Sequence, residues 1–205
     1  LELINIYCKD IPAMEIYLTE REVEEGKKYL DHLFSRRIRV GIHTGTSSFK
    51  NHYHRRWPKE KFLQLINELE DFKFILFGTE EEKKENLFIL NNSIHKNVKI
   101  VENKSIREVA AIIKNLSLFL SNDSGLMHLA SAIGVPVVAI FGPTNPNWVR
   151  PWKVKNKVVR LDLNCSPCFY YSPKPLTCNI KEKFKCVREI DVEMVKNAVC
   201  ELLGM

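Results

Sequence analysis

The sequence predicts an α/β protein built on a doubly wound, Rossmann-like parallel sheet. Three observations carry that reading. Short apolar runs without polar alternation recur between residues 38 and 161, as strands buried on both faces require. Stretches with apolar residues at helical spacing separate them, which is the order of parallel strands joined by crossover helices. Small and polar residues, Gly, Ser, Thr and Asp among them, gather where the strand runs end, and ligands of such sheets sit outside the carboxyl ends of the strands.

In chain order, "TEREVEEGKKYLDHLF" predicts a first helix opened by a Thr19-x-x-Glu22 capping box. "RIRVGIH" is a strand. "WPKEKFLQLINELED" sets Pro58 at a first-turn position and Phe62, Leu65, Ile66 and Leu69 on one helical face. "FKFILFG" repeats the strand pattern, and "EEEKKENLFILNNS" reads as a helix whose acidic first turn suits its dipole. After a short strand in "NVKIVEN", the Ser105-x-x-Glu108 box opens a helix with Val109, Ile112, Ile113 and Leu116 on one face. "LSLFLSN" and "VPVVAIFG" are strands on either side of the helix "SGLMHLASAIG", which Gly134 stops; "NKVVRL" is a last strand and "DVEMVKNAVCELL" a last helix. The expected organisation is a linker and helix over 1–37, a ligand-binding α/β domain over 38–164, and a Cys-rich segment with the closing helix over 165–205.

With 45% hydrophobic and 27% charged residues in 205, the chain has an ordinary globular composition. Its apolar runs are too short to span a bilayer and its start lacks signal-peptide features, so the expectation is a cytosolic protein. It begins at Leu1 and not at Met, which reads as a piece of something longer. The net charge of +6 is concentrated: Arg150 to Arg188 holds ten basic residues against Asp162 and Glu182, a local +8. Such a segment meets phosphates on a lipid surface or nucleotide, or is a solvated lysine-rich face. Nucleic acid is not expected, because stacking motifs are missing.

No G-x-G-x-x-G turn or P-loop is present. Phosphate has another place to go. At Asp123, Ser124 and Gly125 a strand turns into a helix, exposing helix-start N–H groups to an anion, with Gly125 permitting close approach. The competing reading makes Asp123 or Ser124 a plain N-cap. His128, four residues after Ser124, falls on the same side of the first turn. In "HTGTSSFKNHYHRRWP", Gly45 and Thr46 offer backbone and hydroxyl donors and Arg55 or Arg56 a two-pronged guanidinium for a diphosphate; otherwise this is a surface loop. In "GTEEE", Glu80 or Glu82 is placed to accept ribose hydroxyls, with Glu82 slightly preferred.

Together "HTGTS…RRWP", "FILFGTEEE", "NKSIREVAAII" and "SNDSGLMHLASAIGVPVVAIFGPTNP" resemble the C-terminal half of the ADP-heptose:lipopolysaccharide heptosyltransferases, glycosyltransferase family 9, closely over residues 38 to 150. The resemblance implies the donor-binding domain of a two-domain GT-B enzyme. It implies ADP-heptose with its diphosphate over Ser124 and Gly125, Asp123 and His128 at the sugar, Arg55 in place of a phosphate-binding Lys, Gly45 and Thr46 at phosphate, Glu80 or Glu82 at ribose, and Lys104 beside adenine. It implies inverting transfer to a lipopolysaccharide core or other glycan acceptor, no metal or cofactor in catalysis, and a base in an N-terminal domain that this chain lacks. Location would be cytoplasmic, with peripheral contact at the inner membrane. The rival readings are an inactive nucleotide-binding or scaffolding module and a GT-B enzyme using another nucleotide sugar.

Cys165, Cys168, Cys178 and Cys186 form a C-x2-C-x9-C-x7-C pattern that suits a structural Zn or Fe site, with reduced thiols and disulfides as the other readings. The resemblance makes this segment structural and not catalytic. Cys8 and Cys200 read as isolated small hydrophobes.

Overall fold

The computed structural model describes residues 11–34, 38–170 and 173–205, so Cys8 lies outside the described residues. Six strands make one sheet: β1 Arg39–His43, β2 Lys73–Phe77, β3 Val98–Ile100, β4 Leu118–Asn122, β5 Val137–Ile140 and β6 Asn156–Val159. The order is β3-β2-β1-β4-β5-β6 and every pairing is parallel. The helices are α1 Glu20–Leu33, α2 Lys59–Glu68, α3 Lys83–Asn92, α4 Ile106–Lys114, α5 Gly125–Ile133, α6 Pro146–Val149, α7 Lys185–Arg188 and α8 Val192–Leu203, with a 3-10 segment at Phe49–Arg55. Both capping boxes form, at Thr19 with Glu22 and at Ser105 with Glu108. Each satisfies two backbone donors that a helix start leaves over.

Pleating sorts the strand side chains into two cores. Val40, Ile42, Phe74, Leu76, Leu118, Leu120, Val138 and Ile140 join the face covered by α2, α3 and α8. Ile75, Phe77, Phe119, Val137 and Ala139 join the face covered by α1, α4 and α5. Apolar residues on both sides explain the unbroken runs in the sequence. Each fully buried large aliphatic or aromatic side chain stabilises the fold by ~1.5–3 kcal/mol.

The first helix is integral to the second core. Gly26 makes this possible: a Cβ there would stand 2.3 Å from the Ala111 carbonyl oxygen, so α1 reaches α4 only with glycine at the crossing. Among the described residues no helix is long and apolar enough to cross a membrane.

From β1 the chain winds outward through β2 and β3, then returns to place β4, β5 and β6 on the other side. The carboxyl ends of β1 and β4 therefore bound the crevice in which sheets of this type bind ligands. His43 ends β1, and Asn122, Asp123 and Ser124 follow β4 into α5.

Candidate functional site

The start of α5 is left open by its own residues. Ser124 occupies the N-cap position in extended backbone, yet its hydroxyl makes no capping hydrogen bond. The Asp123 carboxylate is engaged elsewhere: its Oδ2 accepts from Arg55 Nη1 at 2.5 Å and from Thr144 Oγ1 at 2.7 Å. The plain N-cap reading is thereby removed. Gly125 is exposed, and a Cβ built on it would meet nothing within 4 Å. A helix start of this kind carries roughly half a positive charge directed at the crevice.

The Ser124 hydroxyl belongs instead to a buried chain whose hydrogens can be assigned. Ser121 Oγ donates to the Asn122 carbonyl at 2.7 Å, and that carbonyl has no hydrogen to give back. Ser121 Oγ must then accept from Ser124 Oγ at 2.9 Å, and Ser124 Oγ must accept from His43 Nδ1 at 2.9 Å. His43 thus carries a hydrogen on Nδ1, and in its neutral form Nε2 is bare. Burial, followed by the Arg56 guanidinium, pushes its pKa down to about 4, in keeping with that assignment. The unfolded chain takes up this proton near pH 6.5 and the folded protein only near 4, so folding loses stability as pH falls through that window. The expected loss is about 3 kcal/mol. Urea unfolding at pH 7 and pH 4 should show it in the wild type and not in His43→Asn.

His43 also lines a cavity of about 530 Å³ at the carboxyl ends of β1, β2 and β3. Ile100, Val101, Val109 and Leu126 give it an apolar wall, and Gly78, Thr79, Glu80, Asn103 and Lys104 a polar rim. An apolar slot beside a helix start suits a flat base joined to phosphate. Glu80 and Lys104, both expected, are brought together here. Each is held lightly at the surface, Glu80 by Lys83 at 3.1 Å and Lys104 by Glu108 at 2.9 Å.

Four of the expected residues stand otherwise than foreseen. Glu82, preferred for the ribose, is buried and spent: Oε2 accepts from Thr79 N at 2.9 Å and Thr79 Oγ1 at 3.0 Å, and Oε1 from Arg56 at 3.1 Å. Its carboxylate lies against Gly45, where a Cβ would be 2.3 Å away, so Gly45 serves as packing space for Glu82. Thr46 is buried and its hydroxyl donates to the His52 carbonyl at 2.9 Å, so in this structure it is engaged within the protein. Arg55, expected at the diphosphate, instead forms the buried pair with Asp123. The reason is common to all four: the loop after β1 folds inward against the turn that opens α3, and burial obliges the polar groups of both to find partners within the protein.

His128 stands one turn beyond Ser124, partly buried, and is not among the residues lining the cavity. Two residues outside the candidate site set, one of them the Thr of the Phe-Gly-Pro-Thr run, complete the arrangement. Thr144 holds Asp123, and Asn122 accepts from Trp57 N–H at 2.9 Å while donating to the Thr44 carbonyl at 2.7 Å. Asn122 therefore fastens β4, the loop after β1 and the approach to α2 together.

The cysteine segment docks beside this site. Cys168 N–H and Phe169 N–H both donate to the Pro143 carbonyl, and Ser166 Oγ donates to the Gly142 carbonyl at 2.6 Å. Cys165, Cys168, Cys178 and Cys186 are free thiols. Burial raises Cys186 to about 12, and the neighbouring Cys168, Cys178 and Cys165 add to it, so the four share one electrostatic neighbourhood. The expected ligand set is not formed as the side chains stand: among the described residues no three metal-binding groups converge. Cys186 Sγ packs against Gly142 in the core while Cys168 is exposed, so the neighbouring thiols differ in their access to solvent.

Residues 6–177 match the profile of glycosyltransferase family 9 (heptosyltransferase). Lipooligosaccharide heptosyltransferase 2 of Campylobacter jejuni is 33% identical over 159 residues, covering 73% of this chain and 47% of that protein. The chain thus spans about half the length of the curated relatives it matches. The structure of Escherichia coli ADP-heptose lps heptosyltransferase II superimposes with a TM-score of 0.76 at 22% identity, covering 97% of this chain and 56% of that one. The iron-containing heptosyltransferase TibC of enterotoxigenic E. coli, in complex with ADP-D-beta-D-heptose, has the same fold at a TM-score of 0.57 and 18% identity, covering 82% and 46%. With the family profile extending over most of its length, the chain belongs to glycosyltransferase family 9, the heptosyltransferases.

Proposed function

We propose that this chain is the donor-binding half of an inverting glycosyltransferase that takes ADP-heptose or a similar nucleotide sugar and serves a lipopolysaccharide core or other glycan acceptor. The observation that carries the proposal is the uncapped start of α5, which borders the cavity at the sheet's switch point. In this reading the apolar wall takes the base, Glu80 the ribose, and the loop at Lys104 the edge of the base. The α5 N–H groups hold the diphosphate and stabilise the charge that grows as ADP departs. Asp123 and His128 are assigned to the sugar, and the base that activates the acceptor to a part of the protein other than these residues. No cofactor enters the chemistry. The family membership favours this over an inactive scaffolding module.

Calorimetric titration with ADP, ADP-heptose, UDP and GDP tests it. ADP should bind, with roughly tenfold gain, about 1.4 kcal/mol, for the whole ADP-heptose. Equal affinity for the two would indicate a nucleotide-binding module, and preference for UDP or GDP a different donor.

A structural zinc or iron ion at the four cysteines is a separate proposal. Its support is the shared neighbourhood of four soft donors and the Phe184 N–H that donates to Cys178 Sγ at 3.3 Å. That the glycosyltransferase TibC, of the same fold, contains iron adds to it. Elemental analysis of the purified protein should give one ion per chain, lost in Cys178→Ser; a metal-free wild type would leave reduced structural thiols.

A further inference from the structure

A second cavity, of about 810 Å³, opens between the loop after β1 and the cysteine segment. It shares no lining residue with the cavity at the switch point. The wall between them includes Arg56, which lines the second cavity while binding Glu82, whose other oxygen holds Thr79 of the first.

Its chemistry is one-sided. Lys183 and Arg188 line it, no carboxylate does, and neither cation forms an ion pair among the described residues. Arg56 lines it too, but Glu81, Glu82 and Glu85 stand 3.1–3.8 Å from it and offset its charge. The excess is felt by His54, which burial, then Arg188 and then Lys183 hold below its ordinary pKa. His54 stacks on Phe184 at 4.0 Å and lies 4.1 Å from the exposed ring of Tyr53, a short aromatic run on one wall. Asn51 and Asn179 add amide groups.

The backbone around this cavity is strained. Lys50, Asn51 and Phe184 take φ values of 50°, 64° and 59°, the left-handed region that costs a side-chain-bearing residue energy. A hydrogen bond from Leu176 N–H to the Lys50 carbonyl ties the two strained segments together. Lys96, Asn103 and Lys153 share this conformation elsewhere, so the strain accompanies the cavity without singling it out.

We propose that this cavity binds a phosphorylated saccharide, with Arg188 and Lys183 on the phosphate, the Tyr53 ring, backed by His54, on a sugar face, and the Asn51 and Asn179 amides on hydroxyls. A concave pocket with amides beside its cations suits a discrete hydroxylated anion. A lipid surface is met by protruding cations on a flat or convex rim. That the saccharide is the acceptor rests on the glycosyltransferase reading; its binding does not.

Glucose 6-phosphate, titrated into the full chain with and without saturating ADP, is the probe. The expected result is binding that ADP does not displace, weakened at least tenfold in the double variant Lys183→Gln, Arg188→Gln, with ADP affinity unchanged. A Tyr53→Ala variant should weaken glucose 6-phosphate while leaving inorganic phosphate within twofold. No binding by the wild type, displacement by ADP, or an unaltered double variant would overturn the site. Sedimentation with phosphatidylglycerol vesicles, lost in the double variant while glucose 6-phosphate fails to bind, would overturn it in favour of a membrane contact. If ADP fails to bind but glucose 6-phosphate behaves as described, the nucleotide-sugar reading fails and this site stands.

Discussion

Asp123→Ala should lower the unfolding free energy by ~3–5 kcal/mol, the cost of leaving one member of a buried ion pair without its counter-charge. The Arg55 and Asp123 side chains are only 6% and 3% exposed, so water cannot replace the lost carboxylate. Thr144 loses its acceptor in the same step. Asp123→Asn keeps an oxygen for Thr144 and the shape of the side chain, and should lose less. The pair Arg55→Met, Asp123→Leu removes both charges and should recover much of the loss, giving a large coupling energy in the double-mutant cycle. Urea denaturation followed by circular dichroism measures all four. Additive losses would show that the two residues do not act as a pair. Because one contact is removed by either single change, sugar and phosphate affinities of these variants are meaningful only per folded molecule.

Trp57→Ala should cost a similar ~3–5 kcal/mol, the range for emptying a large aromatic from a packed core. Trp57 is 1% exposed, meets Phe62 edge-on at 4.8 Å, and its indole N–H donates to the Ile190 carbonyl at 2.9 Å. It joins the loop after β1 to the segment leading into α8. The loss should therefore appear as reduced stability and also as weaker ADP binding, since Asn122 and the Thr44 carbonyl are fastened to the same backbone. Trp57→Phe should retain most of the packing and lose chiefly the indole bond, about 1 kcal/mol. A thermal melt of Trp57→Ala within a degree or two of the wild type would contradict the role given to this side chain.

The sheet was legible because its strands are apolar on both faces and its helices on one, and those two periods differ. The helices α6 and α7 and the 3-10 segment are too short to show a period, and they went unread. The place of the site was legible as well, since Asp123, Ser124 and Gly125 follow a strand and open a helix. Its wiring was not. Arg55 and Asp123 lie 68 residues apart and His43 and Ser124 lie 81 apart, so no local pattern joins them. In "GTEEE" the two candidate carboxylates are chemically identical. Only the turn decides that Glu82 tucks under Gly45 while Glu80 meets the cavity. The four cysteines illustrate the reverse limit: spacing suggests ligands, and orientation is fixed by what each thiol packs against.

The serine chain beneath His43 has a direction. Every hydrogen in it points away from the cavity toward the Asn122 carbonyl, a group with no proton to release. Reversing the chain would leave that carbonyl buried without its donor, so the imidazole is held as an acceptor at the cavity wall. A ligand must bring the hydrogen that this contact needs, and a proton handed to His43 has no exit into the protein. The wire ends inside, so this chain of hydrogen bonds is no route for a proton.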